Sequence, residues 1–196
     1  KGKKKTPRTP GRHQGGGVRA AGVPPDLTMA RLRKRGLKVG TLNVRTLTAG
    51  GELVAAKLAG EYGLDILGLS ESRIPGTGQS DAGNYVMLHS GHRTARMRGV
   101  ALLISKYAFS RLQGWEPVSD RLMSASFRMS GETLTVLLCY APTEDTDAAA
   151  KDCFYDSLDA VVSRVPRRHR LIVLGDFNAK VGSDPQCGPG VMGRHG

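Results

Sequence analysis

The stretch RLIVLGDFNAKVG, residues 170–182, restricts what this chain can fold into more than any other part of it. Four apolar residues, Leu171, Ile172, Val173 and Leu174, run into Gly175 and then into two polar groups, Asp176 and Asn178. An apolar run of this length bounded by glycine predicts a buried strand and is too short for a helix. In open α/β sheets, catalytic and ligand-binding groups gather just outside the carboxyl ends of such strands. A carboxylate and a carboxamide two residues apart point to the same side of an extended chain. Together they offer acceptors to a metal or an attacking water and donors to a phosphoryl oxygen. The competing reading is an Asx turn capping the strand, and the rest of the sequence must separate the two.

Further strands are predicted at residues 37–44, 65–70, 85–89, 100–105, 123–129 and 133–140, divided by Gly, Pro, Ser and Asn signals. Residues 123–129 and 133–140 flank Ser130-Gly131 as a hairpin, which requires antiparallel pairing and hence a mixed sheet. A helix is predicted over 52–62, with Leu53, Ala56 and Leu58 as its apolar stripe. A second begins at Thr146 or Asp147, which can cap it, and ends before Pro166. Phe154, Leu158, Val161, Val162 and Val165 recur at three- and four-residue steps as its packing face, and Arg164, Arg167 and Arg168 suit its C-terminus.

Polar residues at strand ends form a series. Asn43 closes one apolar run, Glu71 a second, Tyr140 a third, and Asp176 with Asn178 a fourth. Any one of these is explained by a turn or cap. Four in one chain, with carboxylates on separate strands, point to a shared crevice. Carboxylate, carboxamide and phenol oxygens suit a hard cation such as Mg²⁺, which takes one or two carboxylates and keeps several waters.

Charge is unevenly placed. The chain has a formal charge of +12, but residues 1–38 hold 12 of the 29 Lys and Arg and one of the 17 acids. The remaining 17 bases and 16 acids leave residues 39–196 near neutrality. A near-neutral body gives no compositional case for a broad nucleic-acid-binding face. Residues 1–36 are rich in Gly, Pro and base and lack periodic apolar positions, so a disordered tail is predicted there. Lys3, Lys4, Lys5 and Arg8 make a candidate nuclear address or phosphate-seeking arm, and Met29 is a candidate start of the folded product. No secretory or membrane-spanning run is evident, so no membrane partner is expected. Cys139, Cys153 and Cys187 lack metal spacing and are odd in number, which predicts an intracellular, reducing compartment, with Cys139 and Cys153 as inert packing residues.

Five ordered segments, GTLNVRTL (40–47), DILGLSESRIPG (65–76), RGVALLIS (98–105), CYAPTEDTD (139–147) and GDFNAKVG (175–182), resemble the endonuclease/exonuclease/phosphatase superfamily. Within it they are similar to the endonuclease domains of RTE-type non-LTR retrotransposons. The match is collinear over residues 37–195. The resemblance implies a domain over 37–196 with a four-layer α/β sandwich, two mixed sheets flanked by helices. It also implies Mg²⁺-dependent cleavage of phosphodiester bonds, with Mn²⁺ as the other candidate metal. DNA is the implied substrate and RNA the other candidate, with no small-molecule cofactor. By the same resemblance, Glu71 is the metal ligand with Asn43 beside it, and Asp176 orients or activates the attacking water. Asn178 holds the scissile phosphate, Tyr140 donates to a phosphate oxygen, and Arg98 is a candidate backbone contact.

Relatives end in a Ser-Asp-His motif whose His pairs with the Asp of GDFN, and residues 1–196 do not contain it. His195 lies in a glycine-bounded loop instead, and His89, His92 and His169 match no functional position and are expected at the surface or at strand ends. The domain is therefore expected to be C-terminally truncated, with an exposed apolar face and an unpaired edge on its second sheet. Three functions follow: a Mg²⁺-dependent endonuclease domain, an inactive remnant that binds nucleic acid or protein, or a phosphoesterase of the same fold acting on an inositol lipid or poly(A) tail. The GTLNVRTL and GDFNAKVG segments favour the retroelement branch over the last.

Overall fold

The computed structural model describes residues 36–179. Nine strands and three helices alternate along them. In order they are β1 (Val39–Asn43), α1 (Gly51–Glu61), β2 (Ile66–Ser70), β3 (Thr77–Ala82), β4 (Tyr85–Ser90) and β5 (Val100–Ser105). Then come α2 (Lys106–Phe109), β6 (Leu112–Pro117), β7 (Leu122–Arg128), β8 (Thr133–Tyr140), α3 (Ala148–Arg164) and β9 (Arg170–Asp176). The first sheet runs β1-β2-β5-β4-β3 and the second β6-β7-β8-β9. Both are mixed. The pairs β1/β2 and β8/β9 are parallel and the rest antiparallel, including the hairpin expected at β7 and β8.

The period-2 alternation of the strands explains the layers. Val100, Leu102 and Ile104 of β5 face the second sheet, while Ala101 and Leu103 face away toward α1. Leu134, Val136 and Leu138 of β8 meet them from the other side, and Cys139 turns outward toward α3. The sequence of layers is helix, sheet, sheet, helix. Gly68 marks the closest approach of the sheets: a Cβ there would lie 2.7 Å from Leu138 Cδ1 and 3.5 Å from Leu174 Cδ1.

Several expectations need correction. Leu53 does not form the stripe of α1 and is 54% exposed; Ala55, Ala56 and Ala59 are the buried positions, because a helix lying close on a sheet takes small side chains there. Asp147, not Thr146, caps α3, its Oδ1 accepting from Ala150 N at 2.9 Å. Phe154 and Val161 are buried as expected, but Cys153 is exposed, one position off the packing face. His89 lies within β4, half-buried, its ring against Gly78 of β3. His195, Cys187 and the tail at 1–35 lie outside the described residues. None of the described helices is long and apolar enough to cross a membrane.

Candidate active site

Strand direction decides which side chains can meet. In the first sheet β1 and β2 run the same way, with Asn43 opposite Ser70 and Glu71 next along. In the second sheet β8 and β9 run the same way, with Tyr140 opposite Asp176. Four strands thus deliver their carboxyl ends to one pole of the sandwich. The starts of β5 and β7, antiparallel to their neighbours, bring Arg98 and Arg121 to the same pole.

Asn43 links the sheets there. Its Nδ2 donates to Glu71 Oε1 at 2.9 Å and to Asp176 Oδ2 at 2.8 Å. Its Oδ1 accepts from Arg45 N at 2.9 Å, so the amide is fixed at both ends. Asp176 Oδ1 accepts from Asn178 N at 3.0 Å, which is the Asx turn considered from the sequence. Turn and site are therefore one structure: one carboxylate oxygen holds the turn and the other faces Asn43. Asn178 Nδ2 donates to Ala141 O at 2.8 Å, tying it to the end of β8. The five side chains singled out at strand ends all converge.

The backbone is strained to achieve this. Glu71 (φ 56°), Arg73 (φ 52°), Arg98 (φ 53°) and Asn178 (φ 46°) are left-handed although none is glycine. Arg45 (φ 54°) is the fifth such residue. Each such residue costs about 1–2 kcal/mol and persists only where surrounding bonds over-determine it. Here they do: Ser72 N donates to Gly99 O at 3.0 Å and Arg73 N to Arg98 O at 2.7 Å. Gly175, by contrast, has to be glycine. Its φ is 139°, and a Cβ would sit 1.7 Å from Cys139 O.

Two arginines complete the site that strand-end reasoning does not find. Arg73 Nη2 lies 3.3 Å from Glu71 Oε2. Arg121 lies under the ring of Tyr140, 4.9 Å from its centroid, and donates to Tyr140 O and Ala141 O at 3.0 and 3.2 Å. Neither carries a strand-end signature: Arg73 meets Glu71 two positions back, and Arg121 meets backbone oxygens 19 and 20 positions on. Arg98 pairs with Asp120 at 3.3 Å. Arg45, Arg93 and Arg96 are exposed, the last two in the segment between β4 and β5. That segment is tied to the chain between β2 and β3 by Gly76 N donating to His92 O at 2.7 Å and Gly91 N donating to Gly76 O at 2.8 Å.

Burial pushes the Tyr140 phenol up from its ordinary range, with the Glu71 and Asp176 carboxylates adding to the shift and Arg121 opposing it. Tyr140 therefore stays a proton donor. Burial, with the Asp176 charge behind it, pushes the Cys139 thiol up to about 12. An open cleft of about 520 Å³ is lined by Thr41, Asn43, Ser70, Asp176, Phe177 and Asn178. A larger groove of about 830 Å³ at the opposite pole is lined by Ser110, Arg111, Gln113, Arg128, Met129 and Ser130, with no carboxylate, so size does not mark the site.

Among the described residues no three His, Cys, Asp or Glu side chains converge as a metal cluster. Two carboxylates bridged by an amide do converge, and that donor set fits Mg²⁺, which takes one or two carboxylates and rejects all-protein cages.

Sequence comparison agrees with the architecture. Residues 40–191 match the model of the Endonuclease/Exonuclease/phosphatase family, and this chain belongs to that family. It is 33% identical over 180 residues to craniofacial development protein 2 of Bos taurus, covering 92% of this chain and 30% of that protein. The chain thus spans about a third of the length of that curated relative. Among solved structures, an AP endonuclease from Archaeoglobus fulgidus superposes with a TM-score of 0.56 at 19% identity, over 76% of this chain and 60% of that one. The endonuclease domain of TRAS1, a telomere-specific non-LTR retrotransposon, gives 0.52 at 19% identity, over 74% and 60%. At such identities the likeness shows the fold.

Proposed function

We propose that this domain hydrolyses phosphodiester bonds in nucleic acid, DNA foremost, with a divalent metal, Mg²⁺ or Mn²⁺. One observation carries the reading: a single Asn43 amide bridges two carboxylates, Glu71 and Asp176, from different sheets at the meeting point of four strand ends. Glu71, with Asn43, would hold the metal, which would supply neutralisation of charge on the phosphoryl oxygens and on the leaving oxygen. Asp176 accepts a hydrogen bond from the attacking water and orients it in line. Asn178 uses one N–H on Ala141 O and has a second for a phosphate oxygen. Tyr140, kept protonated by its surroundings, donates to another.

A polyanionic substrate is supported by the rim. Arg45, Arg73, Arg93, Arg96, Arg98 and Arg121 lie at or between strand ends of one pole, in a body whose charges nearly balance with these arginines included. Arg98 gives one guanidinium nitrogen to Asp120 at 3.3 Å and keeps other N–H donors for a backbone phosphate. A nucleic-acid substrate is in keeping with the two solved structures named as endonucleases, and DNA is preferred on the retroelement-like GTLNVRTL and GDFNAKVG segments.

The test is nicking of supercoiled plasmid by the purified chain in Mg²⁺ or in EDTA, beside Glu71→Ala and Asp176→Ala. Nicking that needs metal and falls at least ~10²-fold in both variants is expected, since removing one electrostatic stabiliser costs ~10²–10³ in rate. Equal nicking by the variants, or none by the folded parent chain, overturns the assignment.

A further inference from the structure

Both oxygens of Glu71 are engaged, and by donors of different kinds. Oε1 accepts from the neutral amide of Asn43 at 2.9 Å, while Oε2 faces the guanidinium of Arg73 at 3.3 Å. One residue, Ser72, separates Arg73 from Glu71, and the two stand in left-handed conformations at φ 52° and 56°. The chain between them is pinned, because Ser72 is fully buried and its N donates to Gly99 O. Strain and hydrogen bonding therefore fix the spacing of the two Cα atoms. The Arg73 side chain is 45% exposed, so its guanidinium meets solvent as well as Glu71.

Arg98 is a useful contrast. It sits on the same rim at nearly the same exposure, 43%, yet its partner is Asp120 and not a carboxylate of the bridged pair. Of the rim arginines among the described residues, Arg73 is the one ion-paired to Glu71. A guanidinium and a divalent cation repel one another, and both require the same carboxylate.

We propose that Arg73 is a placeholder cation for Glu71. It neutralises and orients the carboxylate while no metal is bound, and it must leave Oε2 for a divalent cation to enter. Once released it remains tethered two residues away, on the side from which a phosphate approaches. Arg73 is thus a positioning residue that sets the affinity of the site for metal by competing with it. The inference rests on the metal-dependent reading above.

The measurement is Mn²⁺ binding to the full chain by calorimetry, with no nucleic acid present. Arg73→Gln and Arg73→Ser remove the charge; Arg73→Lys keeps it, without the planar fork. Arg98→Gln removes one positive charge from the rim without touching Glu71. Arg73→Gln and Arg73→Ser are expected to bind Mn²⁺ about 2- to 5-fold more tightly than the parent at low salt, the range that an exposed ion pair supports. The gain should shrink at high salt, where exposed pairs are screened. Arg73→Lys should stay near the parent, and Arg98→Gln should tighten binding clearly less. Urea midpoints close to the parent's confirm that the variants are folded.

Unchanged or weaker binding in both neutral variants overturns the proposal, as does an equal gain in Arg98→Gln, which would make the effect a property of the whole rim. These outcomes leave the catalytic assignment standing. Glu71→Gln should lose Mn²⁺ binding; if it binds like the parent, or the parent does not bind, the metal-site reading falls and this inference falls with it.

Discussion

Cys139 and Tyr140 are neighbours in β8, and the pleat sends them to opposite fates. Tyr140 turns inward to the crevice, while Cys139 turns outward and is fully buried beneath α3, its Sγ 3.2 Å from Leu174 O. Burial and the Asp176 charge hold its thiol near 12, so it is not a nucleophile at neutral pH. Iodoacetamide at pH 8, followed by peptide mass spectrometry, should label exposed Cys153 and leave Cys139 unmodified in the folded chain. The linkage has a definite sign. A thiol whose pKa is raised by folding stabilises the native state fully below its unfolded value, near 9, and loses that contribution as pH climbs toward 12. Urea midpoints should therefore fall between pH 9 and 12, and fall less in Cys139→Ala. At this scale the candidate site was legible where chemistry follows an apolar run: Asn43, Glu71, Tyr140 and Asp176 are each the polar group at a strand end. Arg73 and Arg121 carry no such mark: Arg73 meets Glu71 two positions back across left-handed backbone, and the partners of Arg121 lie at the far end of β8.

The elements were legible in proportion to their apolar content. The run in β9 marked a strand, but not the buried one expected, because β9 is an outer strand of its sheet among the described residues, none of its residues is buried and Val173 is 38% exposed. The strands β5 and β8 have the expected bounds because both are nearly continuous apolar runs, buried on both faces. TGQSDA in β3 and LQGWEP in β6 were missed for the opposite reason. Each is an outer strand of its sheet, mostly exposed, and is held by pairing to β4 or β7 rather than by its own apolar content. Propensity is silent where tertiary pairing decides. The stripe on α1 went astray because leucines outrank alanines on any hydrophobicity scale, whereas close helix–sheet contact selects the smaller side chain. The cap of α3 belongs to this scale too. Asp147 Oδ1 satisfies an otherwise orphaned N–H at the start of a 17-residue helix that covers Leu122 and Cys139. Asp147→Ala should destabilise the domain by about 1 kcal/mol, and Asp147→Asn by less, read as a shift in the urea midpoint at constant slope.

Across the whole molecule the two poles of the sandwich are unlike. The strand-end pole gathers the bridged carboxylates, the arginine rim and all five non-glycine residues of positive φ found among the described residues. The sandwich of two mixed sheets is the one the resemblance implied, but which neighbours pair in parallel was not readable from the chain, since the sequence marks strands without saying what runs alongside. That topology is what makes one pole chemical. It also means the domain sits below the stability its own fold permits. Arg45 is exposed, has φ 54° and takes part in the site through its backbone N–H, which bonds Asn43. Arg45→Gly should raise unfolding free energy by about 1 kcal/mol by relieving the left-handed backbone, while lowering affinity for nucleic acid through the lost charge. Thermal unfolding and a salt titration of binding read the two effects separately. Arg45 therefore sets a positive charge at the rim against the ease of its own left-handed backbone. In a laboratory lineage freed from any demand for binding, the first stabilising substitutions to accumulate should fall at this pole, and they should erode it before the core changes.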